Sequence, residues 1–136
     1  MFNIYAFIEF DSSSKGLGNP FEVASNVWDL TEDLSLWGCK DMLFITAISG
    51  VGSCGQNPPL VDLRGLPENT NRAFERIRHD DFVGWLFLSE ILACLDHQNV
   101  DQSQLANPVV VLLRTLHVLA TIYGDERVRL VFSVTS

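Results

Sequence analysis

Four arginines stand closer together than an acidic chain leads one to expect. Arg64, Arg72, Arg76 and Arg78 are four of nine basic residues and fall within a 15-residue window, with His79 adjoining. A guanidinium offers a rigid fork of donors that matches phosphate or carboxylate, so one reading is an anion site built from a loop and a short helix. The other is a solvated helix face on which Arg72 and Arg76 pair with Glu68 and Glu75. Arg64 is the strongest single candidate, because it stands in an Arg64-Gly65-Leu66-Pro67 loop and not on that face.

A glycine-rich segment precedes the window. Gly50-Val51-Gly52-Ser53-Cys54-Gly55 has the spacing of a dinucleotide-binding turn, in which free backbone amides approach a pyrophosphate. That turn must open a helix, and Asn57-Pro58-Pro59 follows at once. The segment therefore reads as a loop whose amides around Gly50, Gly52 and Ser53 are available to a ligand. Ser53 is not a nucleophile-elbow serine, since Val51 stands where the first glycine of that pattern belongs. His79, Asp80 and Asp81 are consecutive, a spacing that suits a capped turn better than converging metal ligands. Neither a catalytic set, a metal site nor a cofactor site is assigned.

The elements that must position these residues follow from patterning. Phe2–Phe10 is aromatic and β-branched and is closed by a turn-forming stretch through Pro20, which predicts a strand. Spacings in Phe21–Trp37 mix strand and helix. Lys40–Ser49 fits either a buried strand or a short helix with Asp41 at its start. Gly50–Pro67 reads as a long loop, Glu68–Arg78 as a short amphipathic helix, and Gly84–Leu88 as extended or a tight entry segment. Ser89 is a candidate amino-terminal cap for a helix to about Asp96. The polar stretch His97–Asn107 connects to a long helix with Pro108 in its first turn and Gly124 beyond its end, and Arg127–Val134 alternates as a strand. The expected fold is a single α+β domain over 1–136, a small antiparallel or mixed sheet that includes both terminal strands, packed with three to four helices.

Composition narrows the function classes. A net charge of −8 disfavours a broad grip on nucleic acid or anionic membrane. Cys39, Cys54 and Cys94 form neither a disulfide framework nor paired zinc spacing, and the first ten residues lack the features of a signal peptide, so a cytoplasmic location is expected. The longest apolar run, Val109–Leu113, is far too short to span a bilayer. The 108–123 helix is apolar around most of its circumference, with Arg114, His117 and Thr121 on a narrow stripe. Such a helix is either central to the core or packed against a second copy in a homo-oligomer.

Several segments, in order, resemble a family of small phage and prophage proteins. They are Lys40-Asp41-Met42-Leu43-Phe44, Ser49-Gly50-Val51-Gly52, Arg64-Gly65-Leu66-Pro67, Gly84-Trp85-Leu86-Phe87-Leu88-Ser89-Glu90-Ile91, and Tyr123-Gly124 through Arg129-Leu130-Val131-Phe132. The resemblance implies a helix over Asp41–Ser49. The family's Met-Gly-Cys-Asp-Ile-His start is Met1-Phe2-Asn3-Ile4-Tyr5 here, and its His-Ser-x-Ser is Asp81-Phe82-Val83-Gly84, so no family histidine carries over. The resemblance, the arginine window in an acidic chain and the absence of a catalytic set together point to a phage-associated, non-catalytic binding protein in an infected or lysogenic bacterial host. Such a protein would sequester a small anionic immune signal, a cyclic nucleotide or ADP-ribose derivative. A protein-interaction inhibitor of a host factor is the alternative, followed by a phosphate-ester hydrolase with His79 or Asp81 as base.

Overall fold

Two apolar, β-rich segments at opposite ends of the chain pair with each other and create the centre of the sheet. In the computed structural model, residues 2–11, 27–30, 36–53, 58–67 and 82–136 are described, with backbone alone for 11, 27–30 and 37. Strand β1 (Asn3–Asp11) runs antiparallel to β5 (Val128–Thr135), in register from Asn3 opposite Thr135 to Phe10 opposite Val128. The other edge of β5 takes β4 (Phe82–Phe87). On the far edge of β1, β2 (Val27–Leu30) pairs with residues 8–11 and β3 (Leu36–Cys39) with residues 4–6. Every pairing is antiparallel, and both terminal strands lie inside the sheet, as expected of an α+β fold.

Strand alternation sorts the side chains onto two faces. Ile4, Ala6, Ile8 and Phe10 of β1 share a face with Val128, Leu130, Phe132 and Val134 of β5, and this face carries the main core under the helices. The opposite face holds Phe7 and Val131, packed with Leu66 and Trp85. All of β5 except Thr135 is buried, so its alternation separates two buried environments and not core from water.

The segment that periodicity leaves open, Lys40–Ser49, contains a helix, α1 (Met42–Ser49). Its ends decide the matter. The Asp41 carboxylate accepts the Phe44 N–H at 3.3 Å, and Gly50 takes the left-handed conformation at φ 75° with its N–H on the Thr46 carbonyl at 2.8 Å. The second Asp41 oxygen accepts the Ala106 N–H at 2.7 Å, tying this cap to the start of the long helix.

Helix α2 (Leu88–His97) follows β4 without a loop. Its amino-terminal cap position is Phe87, two residues earlier than the Ser89 expected from sequence. Ser89 instead lies inside the first turn, where its hydroxyl and N–H donate to the Asp125 carboxylate at 2.6 and 3.1 Å. Glu90 folds back to accept the Phe87 N–H at 3.0 Å.

The polar connection contains a short 3-10 turn, Gln102–Gln104, and α3 (Asn107–Tyr123) begins with Pro108 in its first turn and is capped by Gly124. One side of α3 is buried through Val109, Leu112, Leu113 and Leu116. Val111, Val118 and Ile122 are 52, 55 and 65 % exposed, so α3 is not the surrounded core helix its composition suggests. The helix expected over Glu68–Arg78 lies outside the described residues. Among the described residues no helix is long and apolar enough to cross a membrane.

Candidate functional site

The glycine loop and the arginine loop have different fates. Gly50 ends α1, and a Cβ there would stand 2.5 Å from Pro59 Cδ, so the glycine serves both a left-handed cap and a close chain approach. The Val51 N–H goes to Ser49 Oγ, the Val51 carbonyl accepts the Thr46 hydroxyl at 2.9 Å, and the Ser53 hydroxyl donates to the Gly50 carbonyl at 2.8 Å. Gly52, at φ 89°, holds a left-handed backbone that disfavours a side chain, and a Cβ there would also push the Met42 methyl aside, 2.7 Å away. The loop therefore closes a helix where a dinucleotide-binding turn would open one, and much of its hydrogen bonding is spent on that closure.

Residues 58–67 run across α2 to the outer edge of β4. The Gln98 side chain donates to the Pro58 carbonyl at 3.4 Å. Leu63 crosses over Gly84, where a Cβ would meet it at 3.0 Å and Phe132 at 2.9 Å. Gly65, at φ 72°, donates its N–H to the Val83 carbonyl at 3.0 Å. This last bond ties the loop to the amino-terminal half of β4, from which Arg64 reaches over Trp85.

Arg64 engages two partners. Its fork grips the Glu90 carboxylate with both terminal nitrogens, Nη1 to Oε1 at 2.9 Å and Nη2 to Oε2. Its Cζ lies 4.5 Å from the centroid of the Trp85 ring. Trp85 meets Phe87 edge to face with ring centroids 5.3 Å apart. The Arg64 and Glu90 side chains keep 30 and 22 % of their surface exposed, so the fork opens to solvent along one side.

Beneath this corner lies a second ion pair. Arg129 and Glu9, cross-strand neighbours on β5 and β1, are joined through Arg129 Nη2 and Glu9 Oε1, with side chains 6 and 0 % exposed. The Arg129 Cζ is 5.7 Å from the same Trp85 ring. Burial pushes the Arg129 guanidinium down from its ordinary range, and the Glu9 charge and hydrogen bond oppose that shift. The result is a layered corner in which two guanidiniums share one indole and each holds a carboxylate.

Beside it, Cys94 is buried on α2, and burial pushes its thiol up while a backbone hydrogen bond at Val61 pulls the other way. The thiol packs in the main core. Among the described residues no group of three or more His, Cys, Asp or Glu side chains is arranged to hold a metal ion.

Of the residues singled out by sequence, Arg64 and Gly65 lie at this corner, whereas Gly50, Gly52 and Ser53 belong to the closure of α1. Arg72, Arg76, Arg78 and His79 lie outside the described residues. Sequence reasoning missed Trp85, Glu90, Glu9 and Arg129. A signal existed for the last two, since each is a lone charge set between apolar residues of a terminal strand. Glu90 could have been found as the third residue of a helix that starts at Leu88.

Fold and site together define an α+β protein built on an antiparallel sheet, with helices on one face and an arginine–indole–carboxylate corner on the other. Comparison with protein-family models, with curated proteins and with solved structures finds no match.

Proposed function

We propose that this chain is a non-catalytic binding protein that captures a small anionic, nucleotide-derived ligand at the Arg64–Trp85 corner. The observation that supports the reading is the Arg64 fork, held 4.5 Å over an indole of the edge strand and still partly exposed to solvent. A phosphate takes the fork in two parallel hydrogen bonds, while the Trp85 ring beneath the guanidinium supports it. Glu90 occupies the fork in the free protein, so a ligand oxyanion binds by displacing that carboxylate. The phage resemblance gives such capture its setting, the removal of a nucleotide signal of bacterial antiviral defence without turnover.

Calorimetry against a panel of cyclic dinucleotides and ADP-ribose derivatives tests the proposal. At least one is expected to bind stoichiometrically, to be recovered unchanged after release, and to lose about tenfold or more in affinity when Arg64→Ala removes the fork. Absence of heat and of thermal shift across the panel refutes capture. Recovery of a cleaved ligand replaces it with hydrolysis.

A further inference from the structure

The outer face of α3 carries a pattern that the ligand reading does not use. Val111, Thr115, Val118 and Ile122 follow one another at steps of four, three and four residues, the spacing of a coiled-coil seam. Here that seam faces outward: Val111, Val118 and Ile122 are all more than half exposed. Beside it a groove of about 380 Å³ between α2 and α3 is lined by Leu88, Leu92, Leu113, Arg114, His117 and Val118.

Charge indicates what covers this face. The chain carries 17 acidic residues, and repulsion among them opposes self-association over most of the surface. From Gln102 to Gly124 there is no acidic residue, the longest such stretch in the sequence, and α3 fills most of it. The first acids beyond it, Asp125 and Glu126, come directly after the helix. The spacing of the seam also reads the same in both directions. Two antiparallel copies bring Val111 opposite Ile122 and Thr115 opposite Val118, and they set the exposed Glu126 of each copy beside the amino-terminal turn of the other. That turn is the positive end of a helix dipole.

We infer that α3 is a self-association surface, on which a second copy of this chain packs antiparallel along Val111, Thr115, Val118 and Ile122. A seam of three turns is small for an interface, so the dimer is a weak one, in the micromolar range. The inference is independent of ligand capture.

Sedimentation velocity over a wide concentration range tests it with the whole chain. The unmodified protein is expected to form dimers at high concentration. Val111→Lys and Ile122→Glu, each at an exposed position, are each expected to weaken the dimer by about tenfold or more while circular dichroism and melting stay unchanged. Mixing the two variants is expected to restore association, because the antiparallel register sets the new lysine against the new glutamate. Leu43→Glu, on the exposed side of α1, is expected to change nothing. A monomer at every concentration overturns the inference, as does a dimer indifferent to both variants. A mixture that does not re-associate overturns the antiparallel pairing. So does a host protein held on this face by a chain that stays monomeric.

Discussion

Arg64 illustrates how much a single side chain's meaning depends on its neighbours. On the sequence it is one of four arginines in a short window; in the fold its fork closes on Glu90 and its Cζ lies over the Trp85 ring. A partly exposed ion pair of this kind is worth about 0.2–1 kcal/mol, small enough for a phosphate with two or more charges to replace the carboxylate. Glu90→Gln keeps the oxygen that accepts the Phe87 N–H and removes the competing charge. Titration of this variant with the nucleotide that binds the unmodified protein is expected to show affinity raised by up to about fivefold, the Boltzmann equivalent of that pair energy. Unchanged or weaker affinity means that the ligand does not contend with Glu90.

At the scale of elements, ends decide what periodicity leaves open. Residues 42–49 suit strand or helix equally by hydrophobic pattern, and the helix forms because Asp41 satisfies its first amides and Gly50 supplies the left-handed stop. Two glycines of similar dihedral angle allow a comparison. Gly50 at φ 75° faces Pro59, whereas Gly65 at φ 72° has nothing within 4 Å of the place a Cβ would occupy. Gly50→Ala therefore suffers both the left-handed strain and a steric overlap, and is expected to cost about 2–4 kcal/mol in a urea titration. Gly65→Ala suffers the strain alone, at about 1 kcal/mol. Equal midpoints for the two variants would show that Pro59 moves aside freely.

Across the whole molecule, the Glu9–Arg129 pair links the two ends of the chain within one sheet. Its burial makes it costly to break and weak as a source of net stability. Glu9→Gln leaves a buried guanidinium without its counter-charge and is expected to destabilise the fold by about 3–5 kcal/mol, measured as a lower urea midpoint. Replacing both, Glu9→Leu with Arg129→Met, is expected to recover most of that loss, because the desolvation penalty disappears along with the attraction. What the pair supplies is register. A shift of β1 by one residue against β5 would carry Glu9 to the helix-covered face, beside Leu130 and Phe132, and would carry Ile8 off it.

Much of this architecture was legible in local patterns. The two terminal strands, the loop around Arg64 to Pro67, the long helix with Pro108 and Gly124 at its ends, and the α+β class all follow from periodicity and turn chemistry, which act over a few residues. Pairings at long range did not. That Arg64 meets Glu90 across 26 positions, that Ser89 serves Asp125 and not its own helix cap, and that Glu9 lies opposite Arg129 depend on which strands become neighbours. The same holds for α3, whose composition suits burial on every side but which buries one side through Val109, Leu112, Leu113 and Leu116 and leaves Val111, Val118 and Ile122 exposed. Sequence by itself determined the elements and the type of chemistry a guanidinium fork offers. Tertiary structure alone decided which charges meet, since Coulomb attraction and desolvation are set by distances and burial that a linear order does not contain.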